Sequence, residues 1–129
     1  MSLLGYHGFN NWENHFMEDE NERDNILFGF ELEAREDDSN YVENQLSPEQ
    51  VACKLGEEFG NLFVYERDSS IGRGVEIISQ PMTMNYYMAH IDLFKKLLKM
   101  LDKMNYVSTK GNKCGLHIHF NRKALGYNS

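Results

Sequence analysis

The sequence predicts a single α+β domain: a four-stranded antiparallel sheet with two helices on one face, in the order strand, helix, strand, strand, helix, strand. Three observations carry that expectation. Four short stretches are extended in pattern, and those ending in "FELEA" and "LHIHF" alternate apolar and polar residues with period two. Two longer stretches repeat apolar residues at intervals of three and four. The helical stretches stand between strands, the order βαββαβ of the split βαβ, or ferredoxin-like, sandwich. In that topology the first and third strands are central neighbours, and the last strand lies beside the first.

The elements follow in turn. Residues 1–25 read as a polar N-terminal arm, because "NNWENHFMEDENERDN" mixes Asn and acidic residues with isolated aromatics and shows neither period. Trp12 and Phe16 are the side chains able to pin it to the domain, which occupies residues 26–129. In "ILFGFELEA", Phe28, Phe30 and Leu32 point one way, and Gly29, Glu31 and Glu33 the other. In "SPEQ", Ser47 caps a helix, Pro48 suits its first position and Gln50 completes a capping box. Val51, Ala52, Leu55 and Phe59 then share one face, so the helix runs from 48 to 59. "NLFVYERD" and "GRGVEIISQP" form a hairpin through Asp68, Ser69, Ser70 and Gly72. From about Met84, Tyr87, Met88, Ile91, Phe94, Leu98 and Leu101 recur at helical spacing, opposite Lys95, Lys96, Lys99 and Lys103. That pattern predicts one long amphipathic helix with a solvated lysine side. "KGNK" is a turn, and "CGLHIHFN" the last strand.

Composition narrows the function. With 129 residues, 41% of them hydrophobic, the chain suits one core and is too short for two ordinary domains. A formal charge of −7, from 20 acidic against 13 basic residues, argues against direct binding of nucleic acid and favours a protein partner with a basic surface. "MSLLGY" has no basic start and no apolar run approaches a membrane span, so the expectation is a soluble, cytoplasmic protein with no membrane partner. Cys53 and Cys114 form no CxxC pair and are expected as free thiols.

The polar faces of the strands carry the candidate chemistry. If the apolar residues face the helices, then Glu31 and Glu33, Glu76 from the hairpin, and His117 and His119 from the last strand share the open face. Strands lie about 4.8 Å apart and same-face residues about 7 Å apart along a strand, so these five can share one or two ions. Carboxylates packed with histidines repel or titrate unless a cation organises them. Imidazole with carboxylate suits Zn²⁺ or Mn²⁺, and carboxylate with water suits Mg²⁺. Zn²⁺ held by His117, His119 and one or more of the glutamates is the expectation. Glu66 and Asp68 stand at the rim, with Cys114 the next ligand to test. His7, His15 and His90 lack such company and are taken as surface residues.

"GFELE", "ERDSSIGRGVEIISQP" and "CGLHIHFN", in that order over residues 27–121, resemble the amidoligase family of carboxylate-amine ligases, relatives of glutamine synthetase and glutamate-cysteine ligase. The resemblance implies a sheet whose divalent ions, Mg²⁺ or Mn²⁺ in a ligase, clamp ATP phosphates. By position it makes Glu31 and Glu33 ligands from the first strand, Glu76 from the hairpin and His117 from the last strand, with His119 beside it. Enzymes of the family continue well beyond the HxH strand. Here Ser129 is the last residue and only Arg122 and Lys123 follow closely, so the expectation is a C-terminally truncated, amidoligase-like sheet without the cations that speed phosphoryl transfer.

The leading expectation is therefore a non-catalytic metal-binding module that acts by binding protein. Ligase-like domains of this kind occur in phage genomes, and the acidic surface points to a phage-type inhibitor of a nucleic-acid-handling host enzyme, with an anti-CRISPR protein directed at Cas9 as the specific case. The alternative is an ATP-dependent amidoligase. A third reading, hydrolysis by Zn²⁺-bound water, needs Glu31, Glu33 or Glu76 as general base.

Overall fold

The computed structural model describes residues 16–17, 26–68, 74–108 and 116–120. It is a mixed α+β fold with an antiparallel sheet. Strand β1 (Leu27–Glu36) sends Phe28, Leu32 and Ala34 into the core, with Phe30 packed against it. Helix α1 (Pro48–Phe59) starts where its sequence dictates. The Ser47 hydroxyl accepts from the Gln50 N–H at 3.2 Å, and the Gln50 side chain accepts from the Ser47 N–H at 2.8 Å, which satisfies two donors that the first turn leaves without helical partners. Gly60 stops it at φ 60°, a conformation that costs residues with a Cβ. A 3-10 turn over Gly60–Leu62 then leads into β2 (Phe63–Asp68), antiparallel to β3 (Gly74–Ser79) from Phe63 opposite Ser79 to Asp68 opposite Gly74. The turn residues Ser69, Ser70 and Gly72 lie outside the described residues.

The sheet has six strands rather than the four expected. Strand β4 (Met82–Thr83) continues β3 along the same edge of β1 past a bulge. Glu31 stands opposite Ile78 and Phe28 opposite Met82, so three steps along β1 are matched by four on the other side. Pro81 has no N–H to offer there, and the Ser79 hydroxyl accepts the Phe30 N–H at 2.9 Å. On the other edge of β1, β5 (Tyr106–Val107) pairs with Arg35 and Glu36, and β6 (Leu116–Phe120) pairs with Phe28 to Leu32. The six strands thus fill four lanes, with two lanes broken into a long and a short piece.

The expected long helix is also two: α2 (Met84–Ala89) and α3 (Ile91–Lys103). His90 breaks it by leaving helical dihedrals, at φ −117° and ψ 26°, and its ring lies 4.2 Å from that of Tyr86. His90 is half-buried at this joint and is not the ordinary surface residue expected. Beyond it, the buried side of α3 is Phe94, Leu97 and Leu101. Leu97 is 1% exposed and Leu98 54%, which corrects the stripe expected from spacing. The two leucines are adjacent and both apolar; the packing against the sheet selects Leu97. Lys95, Lys96, Lys99 and Lys103 are exposed, and Lys96 pairs with Glu58 of α1.

Helices α1 and α3 share one core with the even-numbered residues of β1. Its centre is aromatic, with Phe63 edge-on to Phe59 at 5.4 Å and to Phe94 at 6.0 Å. Asn105, at φ 61°, ends α3 in the left-handed conformation that Asn tolerates. Its side-chain amide donates to the carbonyls of Asn40 and Asp37 and to the Gln45 side chain, which ties the loop after β1 to the end of the helix. Phe16 pins the N-terminal stretch: its N–H donates to the Pro81 carbonyl at 2.9 Å and its carbonyl accepts from the Thr83 N–H at 3.0 Å. Trp12 lies outside the described residues.

Leu97→Ala is expected to cost about 2–5 kcal/mol in urea unfolding, as for other leucines removed from a core, and Ser47→Ala about 1 kcal/mol through loss of the cap. The Tyr65 hydroxyl is buried with no hydrogen-bond partner among the described residues, and burial holds its pKa well above the ordinary tyrosine range. A folded-state pKa raised above the unfolded value contributes stability below about pH 10 that is lost as pH rises past it. Tyr65→Phe should therefore raise stability at neutral pH by about 1 kcal/mol and flatten the decline in melting temperature measured above pH 10.

Candidate functional site

The register of the sheet sets the odd-numbered residues of β1 on the face away from the helices, in rows that cross the lanes. One row runs Glu66, Glu76, Glu33 across β2, β3 and β1. The next runs Val64, Ile78, Glu31, His117 across β2, β3, β1 and β6. Beyond it, Gly29 faces His119. Glu31, Glu33, Glu76, His117 and His119 thus occupy one face of neighbouring strands.

Within that set the closest contact is between β6 and β1. His119 Nε2 lies 3.2 Å from Glu31 Oε2, a diagonal contact across the ladder. Gly29, directly opposite His119, presents no side chain to compete with the imidazole. The Glu31 side chain is mostly buried and that of His119 more than half exposed, so the pair joins the interior of the sheet to solvent. Among the described residues, no three His, Cys, Asp or Glu side chains are grouped so as to hold a metal ion as they stand.

Two placements differ from expectation. Glu66 is not at a rim; it is 3% exposed and lies directly across from Glu76, which is 9% exposed. The polar face is therefore not open along its whole width. β3 is an inner lane whose six residues are all buried, and Glu66 and Glu76 both have interaction partners. Like charges directly opposite one another on a sheet are destabilising, a cost that the partners of Glu66 and Glu76 offset. Of Asp68 the structure describes the backbone alone, opposite Gly74. Cys114, Arg122 and Lys123 lie outside the described residues, as do His7 and His15. Cys53 is a free thiol on α1, 3.6 Å from Glu57 Oε1 and away from this face.

Arg35 belongs to the site and does not figure in the expectation from sequence. It follows Glu31 and Glu33 at the same period of two, opposite Gly74 on one side and Val107 on the other. The signal was the alternation itself, which continues two residues past Ala34, where the apolar pattern ends.

No family model matches this sequence, and neither a curated protein nor a solved structure matches the chain. Among the described residues, no helix is long and apolar enough to cross a membrane.

His119→Ala removes the imidazole from a carboxylate that the sheet keeps mostly out of water. Loss of about 1–3 kcal/mol in denaturant unfolding is expected, against little change for Lys99→Ala on the exposed side of α3.

Proposed function

We propose that this chain is a divalent-metal-binding module on an amidoligase-type sheet and that it acts by binding a protein, without catalysis of its own. The four lanes are read as those of the split βαβ sandwich. The observation that carries the reading is the Glu31–His119 contact, with His117 directly across the ladder from Glu31 and Glu33 on the same face. Acidic groups held side by side gain most from a cation, and imidazole next to carboxylate suits Zn²⁺. His117, His119 and Glu31 would hold the ion, with Glu33 and Glu76 completing its shell after side-chain rotation.

Arg35 is the one basic side chain that the strand register sets on this face among the described residues, whereas phosphoryl transfer draws on several cations around the reacting group. That supports binding over catalysis. The partner would be a basic, nucleic-acid-handling protein, with Cas9 the specific candidate. Arg35 also favours the alternative, an ATP-dependent amidoligase with Mg²⁺ or Mn²⁺, because it stands where a nucleotide phosphate held by these carboxylates would need a counter-charge.

Calorimetric titration with Zn²⁺ is expected to show stoichiometric binding that the His117→Ala, His119→Ala double variant loses. Chelator should lower the melting temperature of the wild type alone, since an ion that binds only the folded state stabilises it by mass action. Stoichiometric Zn²⁺ in the double variant would place the metal elsewhere. Phosphate release from ATP with Mg²⁺ and a carboxylate substrate, abolished in Arg35→Ala, would replace the binding module with the ligase.

A further inference from the structure

On the helix side of the sheet, an apolar groove of about 330 Å³ runs between β6 and helices α2 and α3. Its floor belongs to the core, because Phe28, Leu32, Phe94 and Leu97 line it and are buried. Its mouth is set by Met84, Leu98, Ile118 and Phe120, all about half exposed. The lining is aliphatic and aromatic throughout, with the Tyr87 hydroxyl its one side-chain hydrogen-bond donor. Protein cores leave few voids larger than a water molecule, and ligand clefts begin at about 300 Å³. This groove is of ligand size.

We infer that the groove takes up the hydrocarbon chain of a free single-chain amphiphile with an anionic head, of the class of a medium-chain fatty acid. A polar atom carried into it would find almost no hydrogen-bond partner and would lose those it had in water. What enters is therefore hydrocarbon. An apolar cavity of about 150 Å³ takes up benzene, so a groove roughly twice that size suits a chain of about ten carbons. The lining follows β1 from Phe28 through Phe30 to Leu32, roughly 13 Å along the strand. That length favours a chain over a compact ring system.

Charge beside the mouth selects the head group. Lys95, about one turn before Leu98 on α3, and Lys99, directly after it, are both exposed. Asp102 is the acid on this side, about one turn beyond Leu98, so an anionic head emerging beside Leu98 meets Lys95 away from Asp102. Lys96 is turned the other way and pairs with Glu58 of α1. A lysine at such a rim lays its aliphatic stem along apolar surface and keeps its ammonium in water, where a carboxylate head would also lie. The groove is on the opposite face of the sheet from Glu31, His117 and His119, so the inference stands or falls separately from the proposed Zn²⁺ site.

Calorimetric titration with decanoate below its micelle concentration is expected to show one saturable site per chain. Affinity should rise about fourfold with each methylene from hexanoate to decanoate, as more of the chain is buried. Leu98→Asp sets a carboxylate at the mouth and should weaken decanoate about tenfold or more, with an unchanged far-ultraviolet circular dichroism spectrum. Should that variant not fold, Met84→Asp repeats the test at the first turn of α2, where an acidic residue suits the helix. Lys95→Gln should weaken decanoate about two- to fivefold and leave decanol unchanged. No saturable binding, equal affinity for hexanoate and decanoate, or an affinity that both aspartate variants leave unchanged overturns the inference. A wild type that sediments as a dimer and takes up no decanoate overturns it in favour of a second copy as cover. Binding to anionic phospholipid vesicles without uptake of monomeric decanoate overturns it in favour of a membrane surface. Equal weakening of decanoate and decanol by Lys95→Gln overturns the anionic head.

Discussion

Strand β1 is hydrogen-bonded along both edges, and that double pairing fixes the position of every other element. One edge carries β3 and β4 and the other carries β5 and β6, so four strands take their register from ten residues. Because successive side chains on a strand alternate in direction, the same register decides two things together. Phe28, Phe30, Leu32 and Ala34 anchor the core beneath α1 and α3, while Glu31, Glu33 and Arg35 align the polar face. A one-residue slip would send the acids into the core, and the apolar core therefore holds the polar site in place.

Local chemistry sets where the lanes are interrupted. At Ser79–Pro81, a proline without a donor and a serine hydroxyl that takes over the Phe30 N–H let one lane gain a residue and resume as β4. The resumed strand also holds Phe16, through its bonds to Pro81 and Thr83. At the other end of β1, Asn105 turns the chain out of α3 and its side chain closes the 37–45 loop. These contacts bring together parts of the chain that are far apart in sequence, such as Asn105 and Asn40.

The two faces of the sheet raise opposite physical problems. The helix face is closed by aromatic packing over β1 to β3 but left apolar and half-exposed at β6. The other face is acidic, with three glutamates in one row, of which Glu66 and Glu76 are buried and engaged with partners.

Much of this was determined by the sequence alone, because the governing interactions are local. Ser47, Pro48 and Gln50 define the start of α1 through bonds spanning three residues, and the helix has the bounds its pattern predicts. The alternation in "FELE" and "LHIHF" placed Glu31, Glu33, His117 and His119 on one face before any partner strand was known. Tertiary structure decided the rest. Strands of two residues such as β4 and β5 have no period to read and exist only because β1 offers an edge. Leu97 and Leu98 are equally apolar, and the position of the sheet chose between them. The break at His90 and the burial of Glu66 and Glu76 depend in the same way on what packs nearby. Periodicity assigns a side chain to a face, but its exposure is set by neighbours that are distant in sequence, and those are known only once the chain has folded.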